Sequence, residues 1–179
     1  MRRMAARGFL ALSLLAAAVP ALAQRAEPST PAERARVVQL THRLEAEPLG
    51  PEARAAQIWL VNWIREVPDV TVSVCDLMEL PPEDRYPWSP TLLVQMMAGN
   101  AAFQIENPRR AGDDVAVQGA ALKSALKAYS AILKRKPAAR LAAYDRLVAE
   151  MNDGRLERRL KALVPQRCTQ APPDGGEVI

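Results

Sequence analysis

The stretch SPTLLVQMMAGNAAFQIENP, residues 89–108, carries no charged side chain before Glu106, in a chain that is 25% Asp, Glu, Lys and Arg. On a helical wheel Leu92, Met96 and Phe103 cluster on one side, Leu93 and Met97 on another, and Val94 and Ile105 on a third. A helix apolar nearly all round needs cover on several sides, so the rest of the chain must surround it. A bilayer could supply that cover only to a span of about 20 predominantly apolar residues. Pro90, Gln95, Gly99, Asn100 and Gln104 interrupt this one, so the expectation is the central helix of a bundle. Ser89-Pro90 is read as its cap and start, and Asn107-Pro108 as its end. Ala98, Gly99 and Ala102 form a strip of small residues that admits a close neighbour. Asn100 and Gln104 lie four apart and face one way. Buried amides need partners, so these two either satisfy nearby backbone groups or line a polar pocket.

The flanking segments read as helices too. Thr30-Pro31-Ala32-Glu33 has a cap, a proline at the first helical position and the glutamate of a capping box, predicting a helix over roughly 31–46. Gly50-Pro51-Glu52 opens a second, running to about Glu66, with Ala55, Ile58 or Trp59, Asn62 and Trp63 on its inner face. Trp59 and Trp63 are four apart and share a side. VTVSV, residues 70–74, alternates in the strand manner but has no second strand to pair with, and reads as an extended segment leading to Cys75. Residues 80–90 hold four prolines and form a loop. After Asp113, the residues Val115, Gly119, Leu122, Leu126, Tyr129 and Leu133 step by three and four, marking a helix of about 22 residues. Leu141, Tyr144, Leu147, Val148 and Met151 make a fifth, and Leu156, Leu160, Leu163 and Val164 a short sixth that ends before Pro165. The expected fold is all-α, a single-domain bundle of about six helices over residues 31–168, followed by a disordered tail, 169–179.

The first 23 residues have Arg2, Arg3 and Arg7, then an apolar run from Phe9 to Val19, then Ala21-Leu22-Ala23. That order is a secretory signal peptide, with a short flexible leader, 24–30, after it. It also changes the charge argument. The chain has 24 basic and 20 acidic residues, but three of the basic ones lie in this segment, leaving 21 against 20. Nucleic acid is therefore not an expected partner, and no membrane span is expected once the signal is removed. In an oxidising compartment the two cysteines, Cys75 and Cys168, are expected to pair. Such a bridge closes a loop worth about 4–5 kcal/mol as an upper estimate on the chain-entropy model.

Candidate chemistry is sparse. His42 is the only histidine and reads as a solvated residue on a helix face, so no metal site is expected, and no cofactor. Glu66, Asp69, Asp76 and Glu79 could supply a carboxylate pair for hydrolysis, though spacing selects no two of them. Lys123, Lys127 and Lys134 could line one stripe, with Arg109 and Arg110 before it. Arg155, Arg158, Arg159 and Lys161 crowd the sixth helix, and such basic faces suit an anionic surface or are simply solvated. Trp59, Trp63, Met96, Met97, Asn100, Phe103 and Gln104 are the candidate pocket or core residues.

LKAYSAILKRKP has the ending of a tetratricopeptide repeat, but no second copy at a period of about 34 residues accompanies it. Taken whole, the chain resembles a group of small exported bacterial proteins. The resemblance rests on EAEPLGPEAR, WLVNW, VSVC, QMMAGNAAFQIENP, VQGAALKSALKAY and Cys168. It implies one helical exported domain and brings no assigned activity, cofactor or catalytic residue. The expected role is a non-catalytic binding or interaction protein of the bacterial envelope, its partner an envelope protein. The alternatives are a carrier of a small apolar ligand or lipid, and a carboxylate-dependent hydrolase.

Overall fold

Local capping starts the first helix. In the computed structural model, which describes residues 27–168, the Thr30 hydroxyl accepts the Glu33 backbone N–H. The Glu33 carboxylate in turn accepts the Thr30 N–H at 2.7 Å, so two backbone donors are satisfied reciprocally. This begins α1 (Pro31–Ala46). It is followed by α2 (Ala53–Glu66), α3 (Ser89–Glu106), α4 (Asp114–Arg135), α5 (Ala142–Asn152) and α6 (Leu156–Arg167). Among the described residues there are six α-helices and no strand, and Cys75 and Cys168 form a disulfide. The molecule is the all-α, single-domain bundle that the hydrophobic periodicity predicts. The signal-peptide reading of residues 1–23, the first three residues of the leader (24–26) and the tail 169–179 lie outside the described residues.

The uncharged run is explained by its place between two cores. Leu92 and Met96 of α3 join Leu122, Leu126, Tyr129 and Ile132 of α4, Tyr144 and Leu147 of α5, and Leu156, Leu160 and Val164 of α6. Ala98 and Ala101 of the same helix join the other core, with Val37 and Leu44 of α1 and Ala56, Leu60 and Trp63 of α2. One helix that walls two cores needs apolar or small residues on most of its circumference. Tyr144 ties its own core together, meeting the rings of Tyr86 and Tyr129 edge-on at 6.0 and 5.4 Å.

Residues 67–88 cross from one core to the other with no regular secondary structure, burying Val70 at the first and Cys75, Leu77 and Met78 at the second. A segment that long needs its backbone groups satisfied by something other than a ladder. Side chains of α3 and α4 do it. Asn100 donates to the Ser73 carbonyl at 2.7 Å and Gln104 to the Thr71 carbonyl at 2.8 Å. Gln118 donates to the Ser73 carbonyl at 2.8 Å and its own side-chain oxygen accepts the Cys75 N–H at 3.3 Å. At Cys75 the segment is fastened by the disulfide to Cys168, just after α6.

Three sequence expectations need correction. Ser89 is not the cap of α3: Trp88 occupies that position, and Ser89, already helical, donates its hydroxyl to the Pro81 carbonyl. The inner face of α2 is Ala53, Ala56, Leu60 and Trp63, whereas Ala55, Ile58 and Asn62 are exposed. Both sides of that helix carry large apolar residues, so periodicity alone does not choose the phase. Finally, α6 continues through Pro165 to Arg167. A proline in a last turn interrupts little of the hydrogen-bond ladder, and that turn is held by the Cys168 N–H on the Val164 carbonyl and by the disulfide beyond it.

Candidate functional site

A concavity among the described residues lies against α4. Its floor comes from the small residues Ala116, Gly119 and Ala120, with Phe103 of α3 and Leu160 of α6 as walls, enclosing a volume of about 650 Å³. A second cleft of about 490 Å³, between α1, α3 and α4, shares Phe103, Ala120 and Lys123 with the first. The two clefts adjoin at these three residues and are together called the α4 groove. Small residues on α4 follow from packing as well as from the groove: Gly119 approaches α6 so closely that an added Cβ would meet Leu160 at 3.1 Å.

The rim of this groove carries both signs of charge. Asp113 caps α4 through the Ala116 N–H and pairs with Arg110 at 3.0 Å, and the Arg110 guanidinium lies over the Phe103 ring. Lys123 reaches Glu157 of α6 at 3.1 Å. At the other end Lys127 reaches Glu45 at 2.9 Å. His42 sits between two carboxylates, with Nδ1 3.2 Å from Glu45 of its own helix and Nε2 3.4 Å from Glu106 of α3.

Glu45 is the anchor of that end. Besides Lys127 it accepts the Ser124 hydroxyl at 2.8 Å, and Ser124 in turn accepts Gln95 Nε2 at 2.7 Å. Gln95 also donates to the Thr41 carbonyl, so the buried layer joins α1, α3 and α4. Partial burial pushes the Glu45 carboxyl upward, but hydrogen bonds from Lys127, Ser124 and His42 outweigh it and hold the group below its ordinary value. For His42 partial burial works against protonation, yet the hydrogen bonds and charges of Glu45 and Glu106 win and its titration is raised.

The sequence-derived candidates do not converge on this groove. Phe103 lines it. Met96 is packed away in the larger core and Met97 is half-buried on α3. Trp63 is buried against α1, while Trp59 stacks on it with centroids 6.4 Å apart, under the guanidinium of Arg36. Asn100 and Gln104 bond each other at 2.6 Å and clamp the 71–73 backbone, the first of the two alternatives that their burial posed. Among the acidic candidates, Asp69 is held by Ser29 and Arg34, with the Ser29 N–H the foremost cause that lowers it to about 2. Glu79 is held separately by Arg167 at 2.8 Å.

Reading residue types along the chain missed the Glu45–Ser124–Lys127 cluster, whose members are 79 and 82 positions apart. The only local signal was the His42/Glu45 spacing on one helix face. Among the described residues, no group of three or more His, Cys, Asp or Glu side chains is placed to hold a metal ion, and no helix is long and apolar enough to cross a membrane. Comparison with protein families, curated proteins and solved structures gave no match. The resemblance to small exported bacterial proteins thus brings no activity to these residues, and the functional argument rests on the groove.

Proposed function

We propose that this chain is exported, with residues 1–23 as its signal, and acts without catalysis as a binding protein of the bacterial envelope, taking a short segment of an envelope protein in the α4 groove. The observation that carries this reading is the pairing of an apolar floor with a rim of both charge signs. Exposed ion pairs such as Lys123–Glu157 contribute little to stability, on the order of 0–1 kcal/mol, so their partners can be exchanged for ligand groups at small cost. The small residues of the floor let a bound backbone come close, and Phe103 offers a ring face where the two clefts adjoin. A second reading, a small-ligand carrier, draws support from the groove's volume of about 650 Å³, which suits a compact organic molecule.

Cell fractionation together with native purification from the envelope tests both halves. The expected result is an exported protein that starts near Gln24 and retains one discrete species, lost when Lys123→Glu and Phe103→Ala are combined. Retention in the cytoplasm overturns the export half. A co-purifying species that the double variant keeps overturns the groove as its site.

A further inference from the structure

Among the described residues the two well-exposed large apolar side chains are Ile58, 52% accessible, and Leu93, 43%. They belong to adjoining helices. Ile58 and Val61 of α2 line a shallow cleft of about 290 Å³ with Val94 of α3, the residue that follows Leu93 in the chain. Met97 follows one turn later, half-buried. On α2 this surface continues as the stripe Arg54, Ile58, Val61, Arg65, at intervals of four, three and four. Side chains so spaced share a face, with the two arginines about 16 Å apart along the axis. The six residues of the cleft include Arg54 and no carboxylate.

Arg54 and Arg65 are exposed, and neither has a carboxylate within ion-pair distance among the described residues, whereas Arg34, Arg43, Arg110, Arg140 and Arg167 each hold one. An apolar stripe with a free cation at each end and no acid between calls for an anionic partner. A second copy of the chain does not fit, because a two-fold pairing of this face sets arginines against arginines. A sheet of phosphates with hydrocarbon just beneath fits both features at once.

We propose that the outer face of α2 and α3 seats on an anionic bilayer surface, with Ile58, Leu93 and Val61 at the acyl boundary and Arg54 and Arg65 on lipid phosphates. This surface is separate from the α4 groove, so either assignment can fail alone.

The test is co-sedimentation of the chain from residue 24 onward, which contains every described helix and both cores, with phosphatidylglycerol/phosphatidylcholine vesicles and with pure phosphatidylcholine vesicles. Binding to the anionic vesicles alone is expected, weakened by salt. Arg54→Glu with Arg65→Glu should lower partitioning about tenfold or more, and Ile58→Asp with Leu93→Asp should abolish it. All four sites are on the surface, and circular dichroism verifies the fold of each variant. A control pair, Arg109→Glu with Arg158→Glu, should bind as the parent does. Absence of binding by the parent overturns the proposal, as do equal binding to both vesicle types, unchanged binding by the α2–α3 variants, or equal loss in the control pair. A dimer that Ile58→Asp dissociates would assign the face to a second copy instead.

Discussion

Gly99 on α3 and Ser124 on α4 touch so closely that a Cβ added at Gly99 would collide with the Ser124 Cβ and stand 2.9 Å from its hydroxyl. This contact lets the central helix and the longest helix approach each other. It also places Ser124 where it can bridge Gln95 and Glu45.

Gly99→Ala is therefore expected to destabilise the protein even though alanine is the better helix former. A collision with a neighbouring Cβ takes the upper half of the overpacking range, about 2–3 kcal/mol, offset by roughly 1 kcal/mol of helix propensity, for a net loss of about 1–2 kcal/mol in urea denaturation. Combining it with Ser124→Gly should cost less than the sum of the two, because the collision is gone. A neutral or stabilised Gly99→Ala would show that α3 and α4 are farther apart than described.

The Ser73 carbonyl takes two side-chain donors, Asn100 from α3 and Gln118 from α4. Replacing either by alanine should cost about 1–3 kcal/mol, and replacing both should cost more than the sum, since the second loss leaves the carbonyl orphaned. Hydrogen exchange offers an independent readout. The Cys75 amide, which donates to Gln118, should exchange faster in Gln118→Ala than in Asn100→Ala.

The Cys75–Cys168 bridge spans 93 positions and fastens the end of α6 to the crossing segment. Replacing both cysteines with serine should cost about 2–5 kcal/mol. The loss should show first as faster exchange in α6 and residues 75–80, with α1 and α2 least affected. Equal loosening of all helices would argue against this local anchoring.

His42 links α1 to α3 through Glu106 and is also held by Glu45 of its own helix, and its native titration lies above that of the unfolded chain. A raised value means stabilisation that is fully present below the unfolded value of about 6.5 and is lost as pH rises through the native one. Denaturation of the parent and His42→Gln across a pH series should therefore differ most in mild acid and converge in mild base. A difference that does not change with pH would remove protonation from the account.

How much of this was legible in the chain differs from element to element. Local signals carried far: the capping box at Thr30 and Glu33 and the Asp113 start of α4 both lie at the helix boundaries observed. These act within three or four residues, so sequence neighbours contain the whole interaction. The phase of α2 was not legible, because both of its sides offer large apolar residues. The run through Pro165 was not either, because what holds that turn includes a disulfide to residue 75.

By itself, then, the sequence determined an all-α chain with an uncharged helix needing cover on several sides, and two cysteines available to pair. Only tertiary structure decided what covers that helix: two cores, one on each side. It also decided that Asn100 and Gln104 hold a crossing backbone and that Glu45, Ser124 and Lys127 meet at one end of a groove. The physical reason is range. Helix periodicity and caps are properties of neighbouring residues, whereas hydrogen bonds between side chains about 80 positions apart depend on how the helices pack.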